Sequence, residues 1–158
     1  MVRLADVPEW EREHFLKKIP TLPQLRGNPW ARGPALARRR VAIVTTAGLH
    51  VRSDRPFGTG AAGSDYRVIP SDVAPGELVM SHMSVNFDRS GFQEDLNVVF
   101  PLDRLKELVR DKLVGAVAAF HYSFMGAVSP VTLYEPKARE LASLLKKDDV
   151  DAVLLCPV

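Results

Sequence analysis

From residue 97 to residue 158 the chain alternates between two kinds of apolar pattern, and that alternation limits the fold more than any other feature. Asn97–Phe100 is a brief extended piece. Pro101 then opens a helix with Leu102, Leu105, Leu108/Val109 and Leu113 at helical spacing. Val114–Phe120 (VGAVAAF) is an apolar run of strand length. Ser129-Pro130 makes an N-cap and N1 pair for a helix through Leu133, Leu141, Leu144 and Leu145, which Pro136 must kink or delay to about Glu135. Asp151–Val158 (DAVLLCPV) closes the series as an apolar run without alternation, the pattern of a parallel strand covered on both faces. Strand–helix–strand–helix–strand in this order predicts right-handed crossovers and an α/β fold, a mostly parallel sheet flanked by helices in a Rossmann-like three-layer arrangement.

Upstream, Arg40–Thr46 (RVAIVTT) is the clearest β-strand, short and β-branched, followed by a sharp turn at Ala47–His50. Neither the dinucleotide fingerprint nor the Walker pattern accompanies that turn. Residues 52–65 form a polar, glycine-rich loop long enough to serve as a lid or substrate loop. Tyr66–Ile69 and Glu77–Met80 read as short strands. Ser81–Asp95 (SHMSVNFDRSGFQED) is a polar loop directly after an apolar segment, where a scaffold would present a site. At the other end, residues 6–19 form an amphipathic helix with Trp10, Phe15 and Ile19 as its apolar contacts. A Pro-rich arm over residues 21–34, pinned by Trp30, follows it. The expected division is therefore residues 1–39, helix and arm, and residues 40–158, the α/β domain.

Composition narrows the function. The chain is long enough for one domain with a proper core, and 46% apolar with 25% charged residues is ordinary for a globular protein. Residues 1–40 carry nine Lys/Arg against four acids, ending in Arg38-Arg39-Arg40. That triplet reads as a solvated lead-in to a strand; without interleaved aromatics it does not predict nucleic-acid binding. A single cysteine excludes an internal disulfide framework and a Cys-rich zinc site. No apolar run reaches bilayer-spanning length and residues 1–20 lack a signal-peptide core, so the expectation is a reducing cytoplasm and no membrane partner.

In open α/β sheets chemistry sits past the carboxyl ends of the strands. Three strand ends supply candidates: Thr45, Thr46 and His50; His121, Tyr122 and Ser123; and Cys156. Each has an ordinary alternative, a packed thiol or a hydrogen-bonded structural histidine. His50, His82, Asp88, Asp95 and His121 lack the spacing of a helix-borne ligand pair, so no metal is expected. A final strand without its covering helix leaves apolar surface bare. The domain therefore reads as incomplete in its C-terminal part, interrupted where a reactive group is expected, and prone to association.

Five stretches in this order, VAIVTTAGLHVRSDRPF, Ser81-His82, DLNVVFPLDRLKEL, VGAVAAFHYSFMG and DAVLLCPV, resemble the selenoprotein B subunits of glycine/betaine/sarcosine/D-proline reductases, especially the short members. The likeness covers roughly residues 40–158. It implies reductive cleavage of a C–N bond alpha to a carboxylate, or a related thiol- or selenol-dependent reduction. Electrons would come from a thioredoxin-like dithiol. It also implies a selenocysteine just after Val158, with this polypeptide cut at that codon, and Cys156 as a resolving partner. His82 and His121 would deliver protons, Asp88 or Asp95 would orient them, and Arg52, Arg55 or Arg89 would hold the substrate carboxylate. With these, Thr45, Thr46, His50 and Ser123 complete the expected site. A partner subunit or homo-oligomer is implied, as is a pyruvoyl group on a partner, though this chain shows no source of one. A Cys/His racemase or isomerase and a non-catalytic ligand-binding scaffold are the other readings of the same strand ends.

Overall fold

The computed structural model describes residues 3–23, 31–59, 63–84, 89–127 and 130–158, which fall into two compact units, residues 1–30 and 31–158. The first unit holds α1 (Glu9–Lys18), with Glu9 and Glu11 in its first turn and Lys17 and Lys18 in its last, each favourable to the helix dipole. None of its residues is buried, and Trp10 is 73% exposed. The apolar contacts expected of Trp10, Phe15 and Ile19 do not make a core there. Trp30 and the other arm residues from 24 to 29 lie outside the described residues.

The second unit is built on β1 (Arg40–Thr45), whose residues from Val41 on are all buried. β7 (Ala152–Cys156) runs parallel along one side of it, in register from Val41↔Ala152 to Thr45↔Cys156. Along the other side lie β5 (Ala116–Val117) and then β6 (Phe120–Phe124), both parallel to β1. β3 (Tyr66–Pro70) pairs antiparallel with β6 and gives the sheet its mixed edge. A separate ribbon is formed by β2 (Leu49–Val51) and β4 (Leu78–Met80).

Helices cover both faces, as the sequence predicts. α3 (Leu102–Arg110) buries Leu102 and Leu105 against Val41, Ile43 and the ribbon's Leu49 and Leu78. Burying each leucine stabilises this face by about 1.5–3 kcal/mol. α4 (Glu135–Lys147) lies on the opposite face, with Leu141 against Val44, Tyr122 and Phe124. It starts at Glu135 with Pro136 in its first turn, where the missing N–H costs nothing.

Four local expectations are corrected. Residues 96–98 form a 3-10 turn instead of an extended piece. The Ser81–Asp95 loop contains a short helix, α2 (Ser90–Glu94). The run Val114–Phe120 is broken after Val117, and the strand resumes through His121-Tyr122-Ser123, which therefore lie inside the sheet. The closing run does form a strand, yet an edge strand: Val153 is 37%, Leu154 41% and Leu155 69% exposed. Bare apolar surface was expected of it; burial on both faces was also expected and is not found. Among the described residues, β1 is the one strand that β7 pairs with.

Candidate functional site

The carboxyl edge of the parallel strands is tied together by main-chain and hydroxyl bonds. Thr46 N–H donates to the Cys156 carbonyl at 3.0 Å, and Val158 N–H donates to Thr46 Oγ1 at 2.8 Å. Gly48 N–H donates to the Phe124 carbonyl at 2.8 Å, locking the turn after β1 onto the end of β6. His82 is seated against this edge and is 4% exposed. Its Nδ1 accepts the Ser84 N–H at 3.2 Å, and Arg89 donates to its carbonyl. Burial, assisted by the Arg89 charge, holds its imidazole below the ordinary histidine range.

Further along the same edge is a cavity of about 410 Å³ lined by Arg55, Asp65, Arg67 and Lys137, with Pro56 and Gly58. It belongs to this edge because β3 is antiparallel: Tyr66, its first residue, lies opposite Phe124. Arg67 is 4% exposed and donates to the carbonyls of Arg55, Pro56 and Tyr66 at 2.9, 3.0 and 2.9 Å. Its guanidinium lies 4.4 Å over the Phe57 ring. One planar fork thus fixes residues 55–57, which a lysine's point charge could not do. Asp65 is contacted by Arg55 at 2.8 Å and Lys137 at 3.3 Å. Partial burial works against its ionisation, but the Tyr66 N–H, Lys137 and Arg67 together bring its carboxyl below the usual range. Three cations thus line the cavity with one carboxylate.

The other expected residues have different placements. Cys156 ends β7 and packs against the α3-side core; burial pushes its thiol up, away from the reactive thiolate. Thr46 is at the edge as expected. Thr45 is fully buried, its hydroxyl donating to the Val99 carbonyl at 2.8 Å, and Ser123 Oγ accepts the Leu49 N–H at 2.8 Å. His121 is fully buried in the sheet, T-shaped to Phe100, and its Nδ1 accepts the Ile43 N–H at 2.9 Å. It is not beyond a strand end. Burial, with Lys106 nearby, drives it down to about 4.

His50 lies on β2, where Nδ1 donates to the Val51 carbonyl at 2.9 Å, leaving Nε2 to accept the Ser81 hydroxyl at 2.8 Å. Arg52 reaches the Gly76 carbonyl at 3.1 Å. Asp95 caps the 3-10 turn by accepting the Asn97 N–H at 2.9 Å. Asp88 lies outside the described residues. Among the described residues, no group of three or more His, Cys, Asp or Glu is placed to hold a metal ion, and no helix is long and apolar enough to cross a membrane.

Sequence reasoning missed Asp65, Arg67, Lys137 and the two glycines that seat His82. Lys137 carries a faint signal, a cation in the first turn of a helix that follows a parallel strand. The buried Arg67 has none, because alternation on β3 predicts only a residue facing one way or the other.

Residues 34–157 match the family described as glycine/sarcosine/betaine reductase selenoprotein B. Among curated relatives, the chain is 34% identical over 116 residues to the D-proline reductase subunit gamma of Acetoanaerobium sticklandii, covering 73% of this chain and 47% of that protein. It is 25% identical to the glycine reductase complex component B subunit gamma of Symbiobacterium thermophilum, over 87% of this chain and 32% of that one. It is 28% identical to the betaine reductase complex component B subunit beta of Peptoclostridium acidaminophilum, over 76% of this chain and 28% of that one. The chain thus spans about half the length of the first of these and about a third of the others. No solved structure matches it.

Proposed function

This chain belongs to the glycine/sarcosine/betaine reductase selenoprotein B family, and from that premise we propose that it contributes the substrate-holding edge of a reductase that cleaves a C–N bond next to a carboxylate. The observation that carries the reading is the shared carboxyl edge, where His82, Thr46 and the Arg55/Lys137 cavity lie together. Arg55 and Lys137 hold the substrate carboxylate, exchanging part of their contact with Asp65 for it. Two electrons and two protons then replace the C–N bond by a C–H bond and release the amine, while a dithiol becomes a disulfide.

Cys156 is not the attacking atom in this reading, since its partly buried thiol resists ionisation. That also weakens a Cys-based racemase or isomerase. The nucleophile is instead a selenol, or a thiol in its place, borne by a residue following the Cys156-Pro157-Val158 segment. The Val158 N–H is held by Thr46, so a residue joined to Val158 emerges at the His82 end of the edge. A thioredoxin-like dithiol in a reducing cytoplasm supplies the electrons, and a pyruvoyl group, where the substrate is an amine that needs one, comes from a partner subunit. Reading the gene beyond codon 158 tests this. An in-frame UGA followed by a cysteine-containing extension is the expected result, and a UAA or UAG codon there removes the selenol from the scheme.

A further inference from the structure

The charges around the Arg55/Lys137 cavity are matched one for one. Arg55, Arg67 and Lys137 line it with Asp65, and two further carboxylates stand beside these cations. Asp54 lies 3.8 Å from Arg67, and Glu140 lies 3.0 Å from Lys137 while accepting the Tyr66 hydroxyl at 2.8 Å. Among the described residues of this cluster, three cations thus meet three anions, and a simple anion finds no net positive charge there. The cations differ in freedom. Arg67 is committed to its three carbonyls. The side chains of Arg55 and Lys137 are 74% and 37% exposed, so both can turn without disturbing the sheet. Asp65 lies between them, with Oδ2 on Arg55 at 2.8 Å and Oδ1 towards Lys137 at 3.3 Å. A ligand carboxylate that takes over both cations comes to rest beside Asp65, which repels it. A cationic nitrogen on the same ligand removes that repulsion, since Asp65 stays ionised and has released two partners.

We propose that Asp65 determines specificity at this cavity: it selects a ligand with an N–H-bearing ammonium next to its carboxylate, and rejects plain carboxylates and quaternary ammonium acids. The selection rests on the proposed function, which puts the substrate carboxylate on Arg55 and Lys137. In the free protein Asp65 occupies both cations as a tethered carboxylate. In the complex the ligand carboxylate replaces it there, and the ligand ammonium replaces the two cations at Asp65, so every charge is paired before and after. A ligand without the nitrogen leaves Asp65 facing a second carboxylate, a repulsion that works as discrimination. A quaternary nitrogen has no N–H to donate, and holding it takes aromatic faces instead. Among the described residues lining the cavity none is aromatic, and the nearby Phe57 ring already carries the Arg67 guanidinium.

Three acids built on one ring separate these contributions: D-proline, its N,N-dimethyl derivative and tetrahydrofuran-2-carboxylate. Each is titrated into the intact chain at pH 7, with the backbone amides of residues 55, 57, 58 and 65–67 reporting the cavity in nitrogen-15 spectra. D-proline is expected to bind more tightly than either analogue by about tenfold or more. In Asp65→Asn or Asp65→Ser, which remove the charge, the oxygen acid gains affinity by about tenfold and D-proline loses its advantage. A preference for D-proline that survives both substitutions overturns the proposal, as does equal binding of the quaternary acid by the parent chain. If D-proline and the oxygen acid bind equally and both are lost in Lys137→Met, the carboxylate site stands and only the selection by Asp65 falls. If none of the three acids moves these amides, the carboxylate site falls and the selection with it, while the codon test of the reductase reading is untouched.

Discussion

His121 and His82 each accept a backbone N–H on Nδ1, from Ile43 at 2.9 Å and from Ser84 at 3.2 Å, and both are buried. Their surroundings separate them. His121 fills the break between β5 and β6, where no strand carbonyl is available and Ile43 would otherwise keep an unpaired N–H in the middle of the sheet. His82 stands past the strand ends, against two glycine turns, with the cationic cavity farther along the same edge. One hydrogen bond completes a ladder, and the other fixes a ring at the carboxyl edge. Position in the sheet, rather than residue type, sets these two histidines apart.

The comparison breaks if the two histidines cost the same to remove. His121→Ala leaves the Ile43 N–H unpaired and opens a cavity beside Phe100, a loss of about 3–5 kcal/mol by urea unfolding, against about 1–2 kcal/mol for His82→Ala. Acid sharpens the contrast. The His121 imidazole is held at about 4 in the folded chain against 6.5 for an ordinary histidine, so the unfolded state binds the proton first. Its contribution is complete above about pH 6.5 and is lost as pH falls towards 4, roughly 2–3 kcal/mol in all. His121→Asn, which keeps an acceptor without that titration, should flatten stability over this window; an unchanged slope would assign the loss to other groups.

Arg67→Met probes the cavity end of the edge. Its loss leaves the carbonyls of Arg55, Pro56 and Tyr66 without their donor, at about 2 kcal/mol, and hydrogen exchange should rise in residues 54–58 before it rises in β1. Equal rises in both would mean that the loop and the sheet open together. The smallest effect is expected for Leu155→Lys on the exposed strand β7, within about 0.5 kcal/mol of the parent, while self-association measured by light scattering falls.

The fold was legible where pattern and local chemistry agreed. β1, the helix starts at Leu102 and Glu135, and the layering all follow from apolar spacing and proline placement. The error of register in Val114–Phe120 arose because the polar residues His121 and Ser123 look like the end of a strand. They are polar because the sheet needs their acceptors, for the Ile43 and Leu49 N–H groups. For the site, Thr46 and His82 could be picked out as polar groups near strand ends. Arg67 and Lys137 could not, because their meeting at Asp65 depends on an antiparallel strand and a helix start brought together only by the tertiary fold.

The interruption in the strand beside β1 also settles how insertions there would be tolerated. Between Val41↔Val117 and Val44↔Tyr122, β1 advances three residues and its neighbour five, an excess of two. An even excess preserves the alternation of sides: Val117, His121 and Ser123 stay with the α3 layer, and Tyr122 and Phe124 stay with α4. Adding or deleting a single residue at 118–119 would exchange those sets, turning Tyr122 and Phe124 towards the α3 layer and leaving Ile43 and Leu49 without acceptors. Length variation at this point should therefore come in pairs.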